Sequence, residues 1–276
     1  MAGNARAQNS VWDDGNSAKK TARDKVTKAK HKAKDFKEHL QRWGIDTNYN
    51  HAFLIGGKLN SDGWSGTMNF IKRRNYKLND YLQVSLSEIK HEKQTKQQGM
   101  NSTYPQLGNT TPYVFGKINN LYTLQIGIGQ ETLLLPAVLD NNLSVSLRYS
   151  GGLSIGLLKP YYLKLIYHDN NGNIDSVHVE QHKYTSIDSA LFLNNNKILG
   201  ASKWSKGLDE ISYVPGAYFE TALAIIPGRN KYFIQEITLG VNGAIYAKPL
   251  SIMADQVSYA WQFSLFAGLL IGERWK

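Results

Sequence analysis

The chain has 276 residues, enough for one large domain or two ordinary ones, and its 42% hydrophobic content places it outside the disordered class. The absence of cysteine excludes disulfides, Cys-ligated zinc, thiol nucleophiles and a lipidated N-terminal cysteine. Sixteen tyrosines and 24 glycines against seven prolines suit many strands joined by turns better than long helices. The formal charge of +10 would suggest nucleic acid if it covered the main domain, but it does not. Between Lys19 and Arg42, ten basic residues face only Asp24, Asp35 and Glu38, which leaves about +3 for everything else and no nucleic-acid partner is expected.

The opening residues carry Ala5-Arg6-Ala7 before Gln8, the small-x-small form that ends a secretory signal peptide. Residues 1–8 are therefore expected to be a signal-peptide remnant, with the true start and an apolar segment upstream of Met1. Residues 9–47 are expected to form a basic periplasmic leader. Ala18 to Trp43 is rich in Lys and Ala and free of Gly and Pro until Gly44, which makes it a helix with a stop. Its apolar stripe of Val26, Ala29, Ala33, Phe36 and Leu40 is thin, so the helix should lie in solvent or against a periplasmic or envelope partner.

From residue 48 to 276 the period changes to two, the spacing at which side chains alternate across a sheet. Tyr49, Phe53, Ile55 and Leu59 share one parity. Ser61, Asp62 and Gly63 turn the chain, and Trp64, Met68 and Phe70 return it as a hairpin. Leu82, Val84 and Leu86 oppose Gln83, Ser85 and Ser87. Tyr122, Leu124, Ile126 and Ile128 oppose Thr123, Gln125 and two glycines, and Leu143, Val145, Leu147 and Tyr149 oppose Ser144, Ser146, Arg148 and Ser150. Further strands are expected around Lys159–Tyr167, Tyr213–Ile226 and Tyr232–Ala247. The last is the strongest, with Val257, Tyr259, Trp261, Phe263, Leu265, Ala267, Leu269 and Ile271 in one apolar row. Gln94–Thr111 and Asp169–Asp209 read as long loops, and Asn141-Asn142 and Arg229-Asn230 as short turns.

No run approaches the roughly 18 apolar residues of a spanning helix; the best, Ala260–Gly272, is interrupted by Gln262 and Ser264. A barrel escapes that test because its strands alternate. Such a sheet can close with its apolar side inwards, as a soluble small-ligand binder, or outwards, into lipid. Tyr49, Trp64, Tyr81, Tyr161, Tyr259 and Trp261 near strand ends suit a headgroup level, and Arg148, Glu220, Glu236 and Gln262 are too polar for a dry core. The expectation is an all-β, antiparallel up-and-down transmembrane barrel of about 8–12 strands. Gln83, Ser85, Ser87, Arg148, Glu236 and Gln262 would line its lumen, and lipid would cover its outer face.

The terminal run through Phe263, Leu265, Leu269, Ile271 and Trp275 resembles the C-terminal β-signal of outer-membrane proteins, departing from it in the Lys276 that follows the aromatic. That resemblance implies recognition by the barrel-assembly machinery and a place in a Gram-negative outer membrane. Five further blocks, Leu86–His91, Tyr113–Tyr122, Gly156–Tyr162, Pro215–Glu220 and Lys248–Met253, resemble a family of uncharacterised outer-membrane barrel proteins of Bacteroidota, which brings no agreed activity or site.

Chemistry is sparse. Glu88 and Glu92 share one side of a strand end and His91 takes the other, which suits a solvated terminus. His178, Glu180 and His182 share parity, the spacing of a possible three-ligand face, on what should be an exposed hairpin arm. No Gly-x-Ser-x-Gly elbow occurs, and Gly127, Gly129, Gly151 and Gly152 lack the strand-to-helix context of a phosphate loop. No catalytic residue, cofactor or metal is assigned. The functional expectation is a structural, accessory or narrow-pore envelope protein, with a lipid-modifying outer-membrane enzyme and a soluble binder as the alternatives.

Overall fold

The computed structural model describes residues 49–99, 110–135, 143–168, 177–185, 189–227, 233–254 and 256–276, with Thr27 helical before them. The signal remnant, the basic leader apart from Thr27, and the turns at Asn141-Asn142 and Arg229-Asn230 lie outside the described residues. The strands run β1 (His51–Asn60), β2 (Gly63–Arg73), β3 (Leu78–Ile89), β4 (Lys96–Gln97), β5 (Tyr113–Val114), β6 (Asn119–Leu135), β7 (Ser144–Pro160), β8 (Tyr162–His168), β9 (Val177–Lys183), β10 (Ile198–Ala201), β11 (Ser212–Ile226), β12 (Phe233–Tyr246) and β13 (Trp261–Trp275).

Eight of these close an antiparallel up-and-down barrel in the order β1-β13-β12-β11-β7-β6-β3-β2. The register fixes its geometry. From His51 the pairs run through Lys72, Asp80, Gln130, Tyr149, Thr221, Val241 and Leu265. Leu265 then accepts from the amide of Ser61, ten residues along from the start. Such a stagger over eight strands tilts them by about 40° and leaves an interior just wide enough for side chains.

One end of the barrel, here the lower, carries the start of β1, the end of β13 and the connections 74–77, 136–143 and 227–232. The upper end carries the tight Ser61-Asp62 turn and the three long connections 90–118, 161–211 and 247–260.

The alternation holds on every barrel strand. Along β13, Trp261, Phe263, Leu265, Leu269 and Ile271 are at least half exposed on the outside, whereas Ser264, Phe266 and Leu270 are buried inside. The strand starts at Trp261, so Val257 and Tyr259 continue the exposed apolar surface from a non-strand segment. Tyr81 points inwards and is buried, and Tyr161 packs among the upper loops, so neither ring lies on the outer wall. Tyr49 lies before β1, its ring between the guanidinium groups of Arg73 and Arg274.

The expected strand at Lys159–Tyr167 is two elements: β7 ends at Pro160, and β8 leaves the barrel to form a separate sheet in the order β10-β8-β9. The span read as a loop from Asp169 to Asp209 therefore holds two strands and the short helix Ser189–Phe192. Its apolar residues are too few and too interspersed with Asn to announce themselves, yet Leu163, Leu165, Phe192 and Ile198 bury a common core with Tyr113. Lys96–Gln97, inside the expected loop at Gln94–Thr111, likewise forms β4, paired with β5 just beyond that span. No helix among the described residues is long and apolar enough to cross a membrane, which says nothing of crossing by strands.

Glycines make room where the interior is crowded. Gly268 pairs with Lys58 across β13 and β1, and a Cβ on it would lie 2.8 Å from the Lys58 Cγ and 2.8 Å from the Thr238 Oγ1. Gly57 faces outwards, and its nearest neighbour would be 3.9 Å away. Gly268→Ala should therefore lower unfolding stability by about 1–3 kcal/mol, the range of overpacked sites, while Gly57→Ala stays near wild type in the same urea titration.

Candidate functional site

The barrel interior is the largest concentration of polar chemistry, and the strands position it in layers. Near the lower end Ala52, Leu54, Ile71, Tyr81, Ile234 and Leu270 form an apolar plug. At the upper end Ile89, Leu121, Leu158, Val214, Tyr218, Ala244 and Tyr246 form a second, into which Leu250 inserts from the last long connection. Two charged networks fill the bore, one between the plugs and one level with the lower plug, where Glu236 pairs with Leu270 in the register.

The first centres on Glu220. Lys58 Nζ donates to its Oε1 at 2.6 Å, Gln83 Nε2 to the same oxygen at 2.9 Å, and Asn242 Nδ2 to Oε2 at 3.0 Å. Ser150 donates to Gln83 Oε1 at 2.8 Å, and Asn242 and Gln125 exchange amide hydrogen bonds at 3.1 and 3.3 Å. Lys58 also lies 4.3 Å from the centre of the Phe266 ring. The second network centres on Arg148. Its Nε and Nη2 donate to Glu131 Oε2 at 3.0 and 2.8 Å, Nη2 donates to Glu236 Oε2 at 2.7 Å, and Nη1 donates to Glu236 Oε1. Two carboxylates thus share one planar fork, the geometry that suits arginine and not lysine.

Of the residues singled out in the sequence, Gln83, Ser85, Ser87, Arg148 and Glu236 are buried inside the barrel, and Gln262 is half-buried near the top, where it donates to Asp62 at 2.9 Å. Gln83 belongs to the Glu220 network and Arg148 and Glu236 to the other. Ser85, Ser87 and Gln262 share a cavity with Lys58, Glu220 and Asn242 whose free volume is only about 10 Å3, room for a single water. Around this cavity the described interior is packed with side chains.

Sequence reasoning missed Lys58 and Glu131. The signal for Lys58 was its parity, opposite to Ile55 and Leu59. Glu131 lay beyond the Tyr122–Ile128 alternation read from the sequence, whereas β6 continues to Leu135. The terminal row of Phe263, Leu265, Leu269, Ile271 and Trp275 lies wholly outside, on the strand that closes the barrel against β1.

The upper connections hold the other polar groups. On β9, His178 and His182 approach opposite oxygens of the Glu180 carboxylate at 3.3 and 2.9 Å and flank the Tyr167 ring. Hydrogen bonding from His182 holds the Glu180 carboxyl below its usual range. Among the described residues no three His, Asp or Glu side chains are arranged to hold a metal ion.

Lys117, in the connection above β6, is buried, and that burial lowers its ammonium pKa to about 8; Glu88 opposes the shift, while Lys90, Lys159 and Lys96 add to it. The folded chain therefore binds fewer protons here than the unfolded one between pH 8 and the ordinary lysine value of about 10.4. Protonated Lys117 is a cost that is full below pH 8 and fades as the pH rises through that window.

Two outcomes follow. Arg148→Met should destabilise the fold by about 3–5 kcal/mol, because two carboxylates are left buried without their partner, and adding Glu131→Gln and Glu236→Gln should restore most of the loss in a urea titration. In 13C NMR of the reductively dimethylated protein, the Lys117 signal should titrate near pH 8 in phosphate-free detergent, below the ordinary lysine value of about 10.4.

An eight-stranded up-and-down barrel with an apolar outer wall and a polar, plugged interior is the class these features define. No protein-family model matches the chain, and no curated protein matches it. Among solved structures it is similar to Neisserial surface protein A, at 9% identity and a TM-score of 0.37, covering 80% of this chain and 94% of that one. It is similar to Ail, the attachment invasion locus protein of Yersinia pestis, at 7% identity and a TM-score of 0.39, covering 83% of this chain and 100% of that one. The N-terminal β-barrel domain of Pseudomonas aeruginosa OprF matches at 10% identity and a TM-score of 0.33, covering 83% and 100%. These likenesses are weak, and the functional reading rests on the outer wall and the interior.

Proposed function

We propose that this chain is an integral outer-membrane barrel protein of a Gram-negative envelope, with a structural or accessory role and an interior that does not conduct solutes. The observation that carries the proposal is the outer wall itself. Its exposed side chains are apolar around the whole circumference, among them Ile55, Met68, Leu82, Ile128, Leu153, Leu223, Leu239 and Leu269. From Ile271 to Trp261 the outward row of β13 covers roughly 33 Å of strand and, at a tilt near 40°, roughly 25 Å along the axis, the height of the apolar band of such barrels. Lys72, Asp80 and Glu273 mark its lower edge and Glu88 its upper. A water-soluble surface does not carry so large a continuous apolar area.

Short connections at one end and long ones at the other support an outer-membrane orientation with the loops outside. Against the narrow-pore version stand the two apolar plugs and the two charged networks of the bore. On the same reading, Phe263, Leu265, Leu269, Ile271 and Trp275 are the strand recognised by the barrel-assembly machinery, lipid is the partner of the wall, and the chain is related to the Bacteroidota barrels its sequence resembles. The basic leader would then stand on the periplasmic side.

The test is insertion into lipid. The refolded chain should enter phospholipid vesicles, resist protease there and migrate differently on gels with and without boiling, yet give no steady current across a planar bilayer. Ile128→Arg, at mid-height of the wall, should lower stability in vesicles by about 2–4 kcal/mol, and Tyr213→Arg at the upper rim by about 0–1. A chain that stays monodisperse in water without detergent would overturn the proposal.

A further inference from the structure

On the outer wall formed by β3, β6 and β7, the apolar belt ends in a defined sequence of rows. Leu86, Leu124 and Ile155 lie side by side in the register, and the next outward row up is Glu88, Tyr122 and Leu157. Above it the character of the surface changes abruptly to lysine. Lys159 follows Leu157 on the outward side of β7, and Lys117 stands in the segment leading into β6. Lys159 is 2% exposed and Lys117 4%.

Two buried ammonium groups ordinarily need carboxylates. Among the described residues neither has one within ion-pair distance. The Lys159 Nζ instead lies 5.3 Å from the centre of the Trp204 ring, and the Lys117 Nζ 5.5 Å from that of Tyr161. A ring face attracts a cation but does not neutralise it. Lys90, Lys96 and Lys159 all lie close enough to act on the charge of Lys117, as does the Glu88 carboxylate. Glu88 itself accepts the Trp64 indole N–H at 2.7 Å. The cluster is a concentration of positive charge with its counter-charge incomplete.

Its surroundings say which anion it suits. The Trp204 indole N–H donates to the Tyr122 hydroxyl at 2.9 Å, which holds a 64% exposed ring against the wall at the top of the belt. The connection that carries Trp204 turns back at Gly207, whose φ of +83° is open to glycine and strained for other residues, and a Cβ there would lie 3.1 Å from the Pro160 carbonyl oxygen. Lys159 is thus roofed by the Trp204 loop, next to an indole at headgroup level, and the row Glu88, Tyr122 and Leu157 stands between it and the file of leucine and isoleucine below.

We propose that Lys117 and Lys159, with Lys90 and Lys96 at the margin, bind the phosphate of a lipid headgroup whose chains lie along Leu86, Leu124 and Ile155. The assignment rests on the reading that the wall stands in a bilayer. A free phosphate ion would satisfy the lysines equally, but would leave the exposed indole and the apolar file below them without a part.

The experiment is native mass spectrometry of the full refolded chain, released from detergent containing equal amounts of phosphatidylglycerol and phosphatidylcholine. Wild type should retain phosphatidylglycerol about tenfold more than phosphatidylcholine, and the pair Lys117→Gln and Lys159→Gln should lose that preference by about tenfold or more. Lys72→Gln, a cation at the opposite edge of the belt, should keep it.

Equal retention of the two lipids by wild type overturns the site, and this comparison needs no variant to fold. A folded double variant with undiminished preference overturns it as well. Complete displacement of the lipid by an equal concentration of inorganic phosphate overturns the lipid assignment in favour of a free-ion site, whereas displacement only by a large excess supports it. Failure of wild type to fold into detergent at all strikes at the membrane reading, and is told apart by the missing gel shift on boiling.

Discussion

Closure of the sheet is the constraint from which the rest of the molecule follows. Eight antiparallel strands joined edge to edge leave the wall without an open edge, which is the condition for placing a sheet in hydrocarbon. Closure with a ten-residue stagger also sets the bore, and the bore decides what the inward side chains can be. They are too tightly enclosed to be solvated individually, and while a few neutral groups, Thr67 Oγ1, Asn69 Oδ1 and Thr238 Oγ1, have no partner among the described residues, the charged groups find theirs in the protein. Glu220 does so with Lys58, Gln83 and Asn242, and Glu131 and Glu236 do so by sharing Arg148.

An interior of this kind has a different stability logic from an apolar core. Buried ion pairs add little when set against well-packed apolar side chains of the same volume, but are expensive to break one partner at a time. Their effect is to make the bore specific. A fork that must meet two carboxylates from β6 and β12 admits one register of β7 between its neighbours, and Gly268 opposite Lys58 does the same for the seam between β1 and β13. The outer wall asks only for apolar groups and is indifferent to which, so the specificity of the fold resides on the inside.

This division explains what could be read from the sequence. Period-two alternation is written directly in the residues, so the strands of the first hairpin, the Leu82–Leu86 row, the strand after Leu143 and the Trp261–Ile271 row were legible, as was their outward parity. What alternation does not encode is partnership. Nothing local links Lys58 to Glu220 or Arg148 to Glu236, which lie 162 and 88 residues apart and meet only once the sheet has closed. The upper sheet was illegible for another reason: β8, β9 and β10 are short, and β8 and β9 mix Leu, Ile and Val with His, Lys, Glu and Gln, so the period is lost among polar residues. The lysines above the β6–β7 wall were hidden because Lys159 continues an outward parity and reads as an ordinary solvated strand end, and only the loop that folds back with Trp204 covers it.

The tight Ser61-Asp62 turn gives the molecule a lopsided crown. Three of its upper connections rise into folded loops, while the first hairpin stops almost flush with the wall. The partly covered Gln262, hydrogen-bonded to Asp62, stands at that low point, and it also borders the small polar cavity that holds Lys58 and Glu220. The polar cavity around Lys58 and Glu220 is therefore bordered on the side of the shortest upper connection. The molecule thus has a front and a back: a side on which long connections continue past the barrel end, and a side on which the wall stops at a two-residue turn.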